Sequence, residues 1–295
     1  GVPNCDLVVK NKGWLEAALP DTQITWTKFE SGGDVNTAII AGAIDIGLAG
    51  SSPVTAGLSA PLNIPYQVPW IFDVIGSAES LVVSNDSGIN DVAGLKGKKI
   101  GTPFASTAHY SLLAALNEAN LSEQDVTLVD LQPPDILAAW QRGDIDAAYV
   151  WSPTLDDLKK DGTVLVTSAD LATKGYPTYD LAVVTKEFLA ANPDAVTAWV
   201  QEQNRAVELI KKDPAQAATS IAAELGITPE QAQSQLKGLV FLNAKEQQGT
   251  DYLGTPDAPG KFAEGLLKAA EFLKSQQKMQ AGIHAQSLAD AVSGQ

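Results

Sequence analysis

The chain states one short pattern twice. AGAIDIGLAGSSP at 41–53 returns as RGDIDAAYVWSP at 142–153, an offset of 101 residues that sets Gly42 over Gly143, Ile44 over Ile145 and Asp45 over Asp146. Each copy follows an amphipathic run, TAIIAG or ILAAWQRG, passes through a short apolar strand and breaks at Ser-Pro. A helix–Gly–strand–Ser-Pro unit written twice is one step of an α/β sheet written twice, with right-handed crossovers between strands. At 295 residues the chain is long enough for two lobes of ordinary domain size. Two readings follow: each lobe carries one copy, or the pattern is common punctuation between helices and strands.

The rest of the chain keeps the same rhythm. DLVVKNKGWLEAA (6–18) reads as a helix interrupted near Gly13, and ITWTKF (24–29) as a strand by its β-branched and aromatic content. SGGDV is a turn with Asp34 as N-cap of a helix through Ile40, and IDIGLAG (44–50) is a buried strand. Ser51-Ser52-Pro53 opens the next helix with a capping Ser and Pro inside the first turn. IPYQVPWIF, ESLVVS and KKIGTP are extended, and a helix starts at Ser106-Thr107. VTLVDL, DIDAAYVW, TVLVTS and TYDLAVVT are further strands, separated by the helices PPDILAAWQRG and SPTLDDLKKDG, the latter ending at Gly162. Beyond about residue 186 the pattern is all-helical.

Several function classes are excluded or weakened. No window approaches the ~18 uninterrupted apolar residues of a membrane span. The net charge is −15, with Lys and Arg scattered, which argues against nucleic acid as a partner. Cys5 is the sole cysteine, so no internal disulfide forms, and a lone Cys near a terminus is incidental rather than catalytic. The sequence opens at GVPN with no leader, as a mature exported chain or a cytoplasmic one would; one Met and one Cys lean towards an oxidising compartment. There is no G-x-G-x-x-G, Walker-type loop, C-x-x-C or H-E-x-x-H, and the only histidines are His109 and His284. No cofactor and no metal site is expected.

A binding chemistry remains. Two helix starts carry paired hydroxyls, Ser51-Ser52 and Ser106-Thr107, where free backbone N–H groups and the positive end of the helix dipole make an anion site. Capping alone explains one hydroxyl at each start; two at each of two starts exceed what capping needs.

PFASTAHYSLLAAL (103–116) and LQPPDILAAWQRGDIDAAYVWSP (131–153) closely resemble the taurine-binding proteins of bacterial ABC transporters, and GSSP (50–53), SAESLVV (77–83) and PTYDLAVV (177–184) fit the same family. The resemblance covers most of the first two hundred residues and weakens in the helical tail. It implies a type II periplasmic-binding-protein fold: two α/β lobes joined by two crossover strands, a ligand clamped between them, and a helical tail on lobe 1. ESLVVS and DLAVVT would be the crossovers, dividing the chain into 1–79, 80–184 and 185–295. Members of the family open with a core strand that this sequence lacks.

The resemblance also implies roles. Ser51, Ser52, Ser106 and Thr107 would hold a sulfonate; His109 and Tyr110 would add a donor and an aromatic wall, or His109 would be a satisfied structural residue. Trp151 would stack on the ligand, or be core. Gln132 is a donor at a strand end, and Glu79 and Asp180 are carboxylates for an ammonium. The implied protein is a monomeric solute-binding protein of an ABC importer, periplasmic or extracellular, surface-anchored if a preceding segment carries an anchor, and delivering taurine or a related sulfonate to a permease. The alternative is an enzyme on the same scaffold acting on a small heterocycle such as a thiamine-precursor pyrimidine.

Overall fold

A computed structural model describes residues 2–276 and 290–292. The first part of the chain forms α1 (Cys5–Lys12), α2 (Trp14–Ala18), α3 (Gly32–Ile40), β1 (Ile46–Gly50), α4 (Ser51–Leu58), β2 (Tyr66–Gln67) and β3 (Ile71–Ile75). The middle forms β4 (Glu79–Ser84), β5 (Lys99–Thr102), α5 (Thr107–Glu118), β6 (Thr127–Asp130), α6 (Pro133–Arg142), β7 (Ala147–Trp151), α7 (Thr154–Leu158), β8 (Gly162–Thr167) and α8 (Ser168–Thr173). The chain then returns through β9 (Tyr179–Thr185), α9 (Lys186–Ala191), α10 (Pro193–Lys212), α11 (Pro214–Leu225), α12 (Pro229–Leu236), β10 (Leu239–Val240), α13 (Ala244–Gln247), the hairpin β11–β12 (Gly254–Thr255, Ala258–Pro259) and α14 (Phe262–Ser275).

Two sheets result. The first runs β1-β9-β3-β10, with β2 also on β9, and its pairings are antiparallel. The second runs β6-β5-β7-β4-β8, with β5 parallel to β6 and β7, and β4 antiparallel to β7 and β8. The repeated unit is thereby resolved: α3–β1–α4 serves the first sheet and α6–β7–α7 the second. The chain changes sheets at 76–78 and again between α8 and β9. ESLVVS and DLAVVT therefore do not each span both sheets; β4 belongs to the second and β9 to the first. The first crossing is pinned from the far side, because the Gly238 carbonyl accepts from both Gly76 N at 2.9 Å and Ala78 N at 3.1 Å.

Each sheet has its own core. Trp70, Phe72 and Ala182 pack under α1, α10 and α11, whose apolar stripes supply Val8, Val9, Trp199, Val207 and Ile221. The other face of this sheet packs Ile71, Leu181 and Val183 against α14 through Phe262, Leu266 and Ala270. In the second sheet Leu81, Ile100 and Tyr149 meet Leu112 and Leu116 of α5, while Val82, Ala148 and Val150 meet Ile136 and Trp140 of α6. Full burial of each such large side chain is worth about 1.5–3 kcal/mol, which makes both sheets cores rather than covers. Towards its C-terminal end α14 reaches the second core, where Phe272 meets Tyr110 and Tyr176 edge-on at 5.5 and 5.2 Å.

Four local expectations are corrected. ITWTKF is extended but forms no strand. Ile24, Trp26 and Phe29 still pack partly on the cores, but a strand also needs a hydrogen-bonded neighbour. The outer edge of β1 carries no strand among the described residues. Ser31, not Asp34, caps α3, its Oγ accepting from Asp34 N at 3.4 Å. Gly50, not a serine, is the N-cap of α4; Ser51 is already helical, and its hydroxyl accepts instead from Tyr179 N at 3.2 Å. Gly162 does not end α7, which stops at Leu158; it opens β8 where a Cβ would lie 2.8 Å from both the Leu158 carbonyl and Val82 Cγ2.

Candidate binding cleft

Three helices begin at the cleft between the sheets. For α5 the approach is PFAS. Ser106 Oγ accepts from His109 N at 3.1 Å, and Ala105, in the left-handed region at φ 61°, turns its N–H onto His109 Nδ1 at 3.0 Å. The imidazole stacks on Phe104 with ring centroids 4.6 Å apart, so the loop is clamped over the first turn of α5. For α4 the approach is β1, ending at Gly50. For α3 it is Ser31-Gly32, where a Cβ on Gly32 would lie 2.7 Å from Pro53 Cγ, so glycine is what lets α3 and α4 start side by side. The cleft they border has a volume of about 500 Å³.

The opposite chemistry lies beside them. Asp180, the second residue of β9, is paired across the sheet with Gly50 on one side and Asp73 on the other. Residues directly opposite in an antiparallel ladder share a face, so the two carboxyls meet. Glu79 opens β4 opposite Trp151 on β7 and accepts from the Thr107 hydroxyl through both carboxyl oxygens, at 2.8 and 3.0 Å. All three acids are buried, at 0, 1 and 7% exposure for Asp73, Glu79 and Asp180, and none forms an ion pair among the described residues. Burial dominates their ionisation. It pushes Glu79 up to about 8, helped by the Asp180 charge and opposed by the Thr107 hydroxyl. It pushes Asp180 to about 6, against a lowering hydrogen bond from Asp73. Asp73 is driven well above the usual carboxylate range, by burial first and then by its two acidic neighbours.

The sequence-derived residues divide. Glu79, Ser106, Thr107, Trp151 and Asp180 line the cleft together, with Trp151 half-buried as its wall. Ser51 and Ser52 are buried at the base of α4, and Ser51 spends its hydroxyl on β9. His109 orders the PFAS loop rather than lining the cavity. Tyr110 joins Tyr176 and Phe272 in an aromatic group outside it. Gln132 caps α6 without a side-chain bond and reaches Ser31 Oγ at 3.5 Å, linking the two lobes. His284 lies outside the described residues.

Sequence reasoning missed Ser31-Gly32, Gly50 and Asp73. Ser31 and the glycines read as a turn. Gly50 reads as the end of a strand, yet a Cβ there would sit 2.5 Å from Thr107 Cγ2 across the cleft. Asp73, in WIFDVI, carries the same signal that flagged Asp180, a lone carboxylate in an apolar run.

Two α/β lobes with helix starts and buried polar groups turned into the gap between them define a two-lobe ligand-binding scaffold. Solved structures agree on that fold. The alkanesulfonate-binding protein SsuA from Xanthomonas axonopodis pv. citri, solved bound to MOPS, superposes with a TM-score of 0.79 at 23% identity, covering 96% of this chain and 93% of that one. The same scaffold also carries an enzyme: the desulfurization enzyme DSZB has a TM-score of 0.65 at 18% identity, covering 98% of this chain and 93% of that one. By sequence the chain is 36% identical to the taurine-binding periplasmic protein of Escherichia coli (strain K12) over 264 residues, 88% of this chain and 79% of that one. Residues 6–217 match the family described as NMT1/THI5 like, and the chain belongs to that family.

Proposed function

We propose that this chain binds taurine, or a closely related small amino-sulfonate, in the interlobe cleft and hands it to the permease of an ABC importer on the outer side of the cytoplasmic membrane. The observation that carries the reading is the placement of Asp180. It lies between Gly50, which caps the start of α4, and a second carboxyl, so anion-accepting and cation-accepting groups face one small cavity. A zwitterion with its charges two carbons apart is the ligand such a cavity fits. The sulfonate meets the first turns of α4 and α5, with Ser106 and Thr107 beside it. The ammonium meets Asp180 and Glu79, since a desolvated charge is tolerated only with a partner. Trp151 covers the short carbon chain and lies near the ammonium, where an indole face is attractive to a cation. The relative named for binding taurine supports the same assignment and a periplasmic location, and a relative named as an ABC transporter periplasmic binding protein supports work with a permease.

The enzyme alternative draws support from the DSZB scaffold. Against it, Cys5 is fully buried and its thiol is pushed well above its ordinary value, by burial first, which leaves no thiolate nucleophile at the cleft. Incubating the protein with candidate sulfonates and pyrimidines and looking for turnover by mass spectrometry decides between the two; any product formed at a catalytic rate sinks the binding-only reading.

Native mass spectrometry of the purified protein, followed by calorimetry with taurine, tests the main proposal. Two further outcomes are expected. The lobes closing on ligand should change the surroundings of Trp151. Taurine should therefore shift the intrinsic fluorescence saturably, and Trp151→Phe should remove most of the shift although five other tryptophans remain of the six. A full signal in Trp151→Phe places the reporter elsewhere. A sulfonate held by buried dipoles should also tolerate salt, with affinity falling by about threefold or less from low to moderate ionic strength. A steep fall would mean a surface cationic patch.

A further inference from the structure

Asp73 has no part in the sulfonate contacts, and its position is costly. Both of its carboxyl oxygens are buried with no hydroxyl or cation beside them among the described residues, and Oδ2 of Asp180 opposite is likewise buried and unpartnered; the Asp180 backbone N–H alone favours the Asp73 charge, and less than burial and the neighbouring acids oppose it. The side chains facing Asp73 offer no relief. From β9 comes Asp180, from β4 Glu79, and from α1 the buried Cys5 thiol, on which the Asp73 charge acts unfavourably. β10 brings only Leu239 and Val240, opposite Ile75 and Val74. No group of three acid, His or Cys side chains is arranged to hold a metal ion among the described residues. Two buried carboxyls in contact with neither metal nor cation are satisfied by a shared proton, because a carboxylic acid is a donor where a carboxylate is only an acceptor.

We infer that Asp73 is a positioning residue for ligand recognition: it keeps a proton inside the sheet and donates it to Asp180, so that the cluster of Asp73, Asp180 and Glu79 offers the ligand's ammonium one anion instead of two or three. The inference deepens the amino-sulfonate reading and rests on it for its ligand. With Asp73 protonated, Asp180, which lines the cleft, stays ionised at neutral pH in a site that would otherwise neutralise it. Glu79, pushed to about 8, is largely protonated at pH 7, which leaves a single negative charge for a single ammonium. The protonation states belong to the group of acids rather than to separate residues.

The sign for ligand binding follows from Asp180. Its carboxyl titrates near 6, so taurine affinity is full above that pH and is lost as pH falls through it, whereas a sulfonate without an amine has no such limb. Asp73→Asn keeps a donor, the side-chain amide, without a proton to lose; Asp73→Leu keeps volume but no donor. Calorimetry with taurine and ethanesulfonate from about pH 5 to 8 should show Asp73→Asn with the wild-type acid limb. Asp73→Leu should show the limb moved up by about one pH unit, equivalent to about a tenfold loss of taurine affinity below it. Ethanesulfonate affinity should be unchanged in both. Carboxyl infrared spectroscopy of the ligand-free proteins supplies an arm that needs no ligand: a protonated-carboxyl band at neutral pH should be present in the wild type and reduced in Asp73→Asn. An undiminished band, an unmoved limb in Asp73→Leu, or equal losses for both ligands overturns the role of Asp73. Absence of sulfonate binding by the wild type overturns the proposed function instead, and the infrared arm then still decides whether Asp73 holds the proton. If Asp73→Leu does not fold, the Asp73→Asn spectrum decides alone.

Discussion

Asp180→Asn is expected to cost taurine about 3 kcal/mol at about pH 7.5, on the order of a hundredfold in Kd, and to leave ethanesulfonate nearly unaffected. The size comes from breaking a buried ion pair by removing one partner: the ammonium enters a cleft where burial raises Glu79 to about 8 and pushes Asp73 well above the usual carboxylate range, while Asp180, at about 6, is the group already charged. Ethanesulfonate lacks the amine and gains slightly, because an uncompensated carboxylate leaves its surroundings. Calorimetry with two ligands and two proteins gives the four affinities. Losses of equal size for the two ligands would falsify the ammonium role of Asp180 and move it to Glu79.

Gly50→Ala should behave in the opposite way, weakening every sulfonate alike by roughly tenfold to a hundredfold. The added Cβ would lie 2.5 Å from Thr107 Cγ2 and 3.3 Å from its Oγ1. Thr107 cannot simply rotate aside, since its hydroxyl is tied to both oxygens of Glu79. The clash lies between β1 of one lobe and α5 of the other, so relief comes from separating the lobes. Small-angle scattering in the presence of saturating ligand should show the variant more open than the wild type. Adding Thr107→Ser removes the methyl and keeps the hydroxyl, and should restore most of the affinity. A single Gly50→Ala variant that closes and binds normally would show that the contact is not what sets closure.

Legibility in the sequence follows the range of the interactions involved. The α5 start is legible because Ser106 and the residues after it form a local pattern, and a cap is a local event. Asp180 is legible because a carboxylate inside an apolar strand has no ordinary surface explanation. Asp73 carries the same signal, but its meaning depends on register, which places it opposite Asp180 across a bulge at Ile71 and Asp73. Gly50 could not be read at all: its need for a bare backbone is set by Thr107 on another lobe. ITWTKF shows the converse limit. Ile24 and Trp26 pack partly against the core, but whether an extended segment becomes a strand is decided by a neighbour far away in sequence.

The course of α14 has a mechanical consequence. Two linking segments alone would let one lobe both bend and twist against the other. This helix is seated at one end in the first core, through Phe262 against Tyr179, and at the other against Tyr110 and Tyr176 of the second. It acts as a third link, stiff along its 14 residues and attached through edge-on aromatic contacts that slide more easily than hydrogen bonds break. Three links of this kind oppose twist and leave bending as the soft coordinate. On the proposed function the helix starts and the acids would meet in the same alignment each time the lobes close, and a short zwitterion would be measured end to end as if between the jaws of a vice.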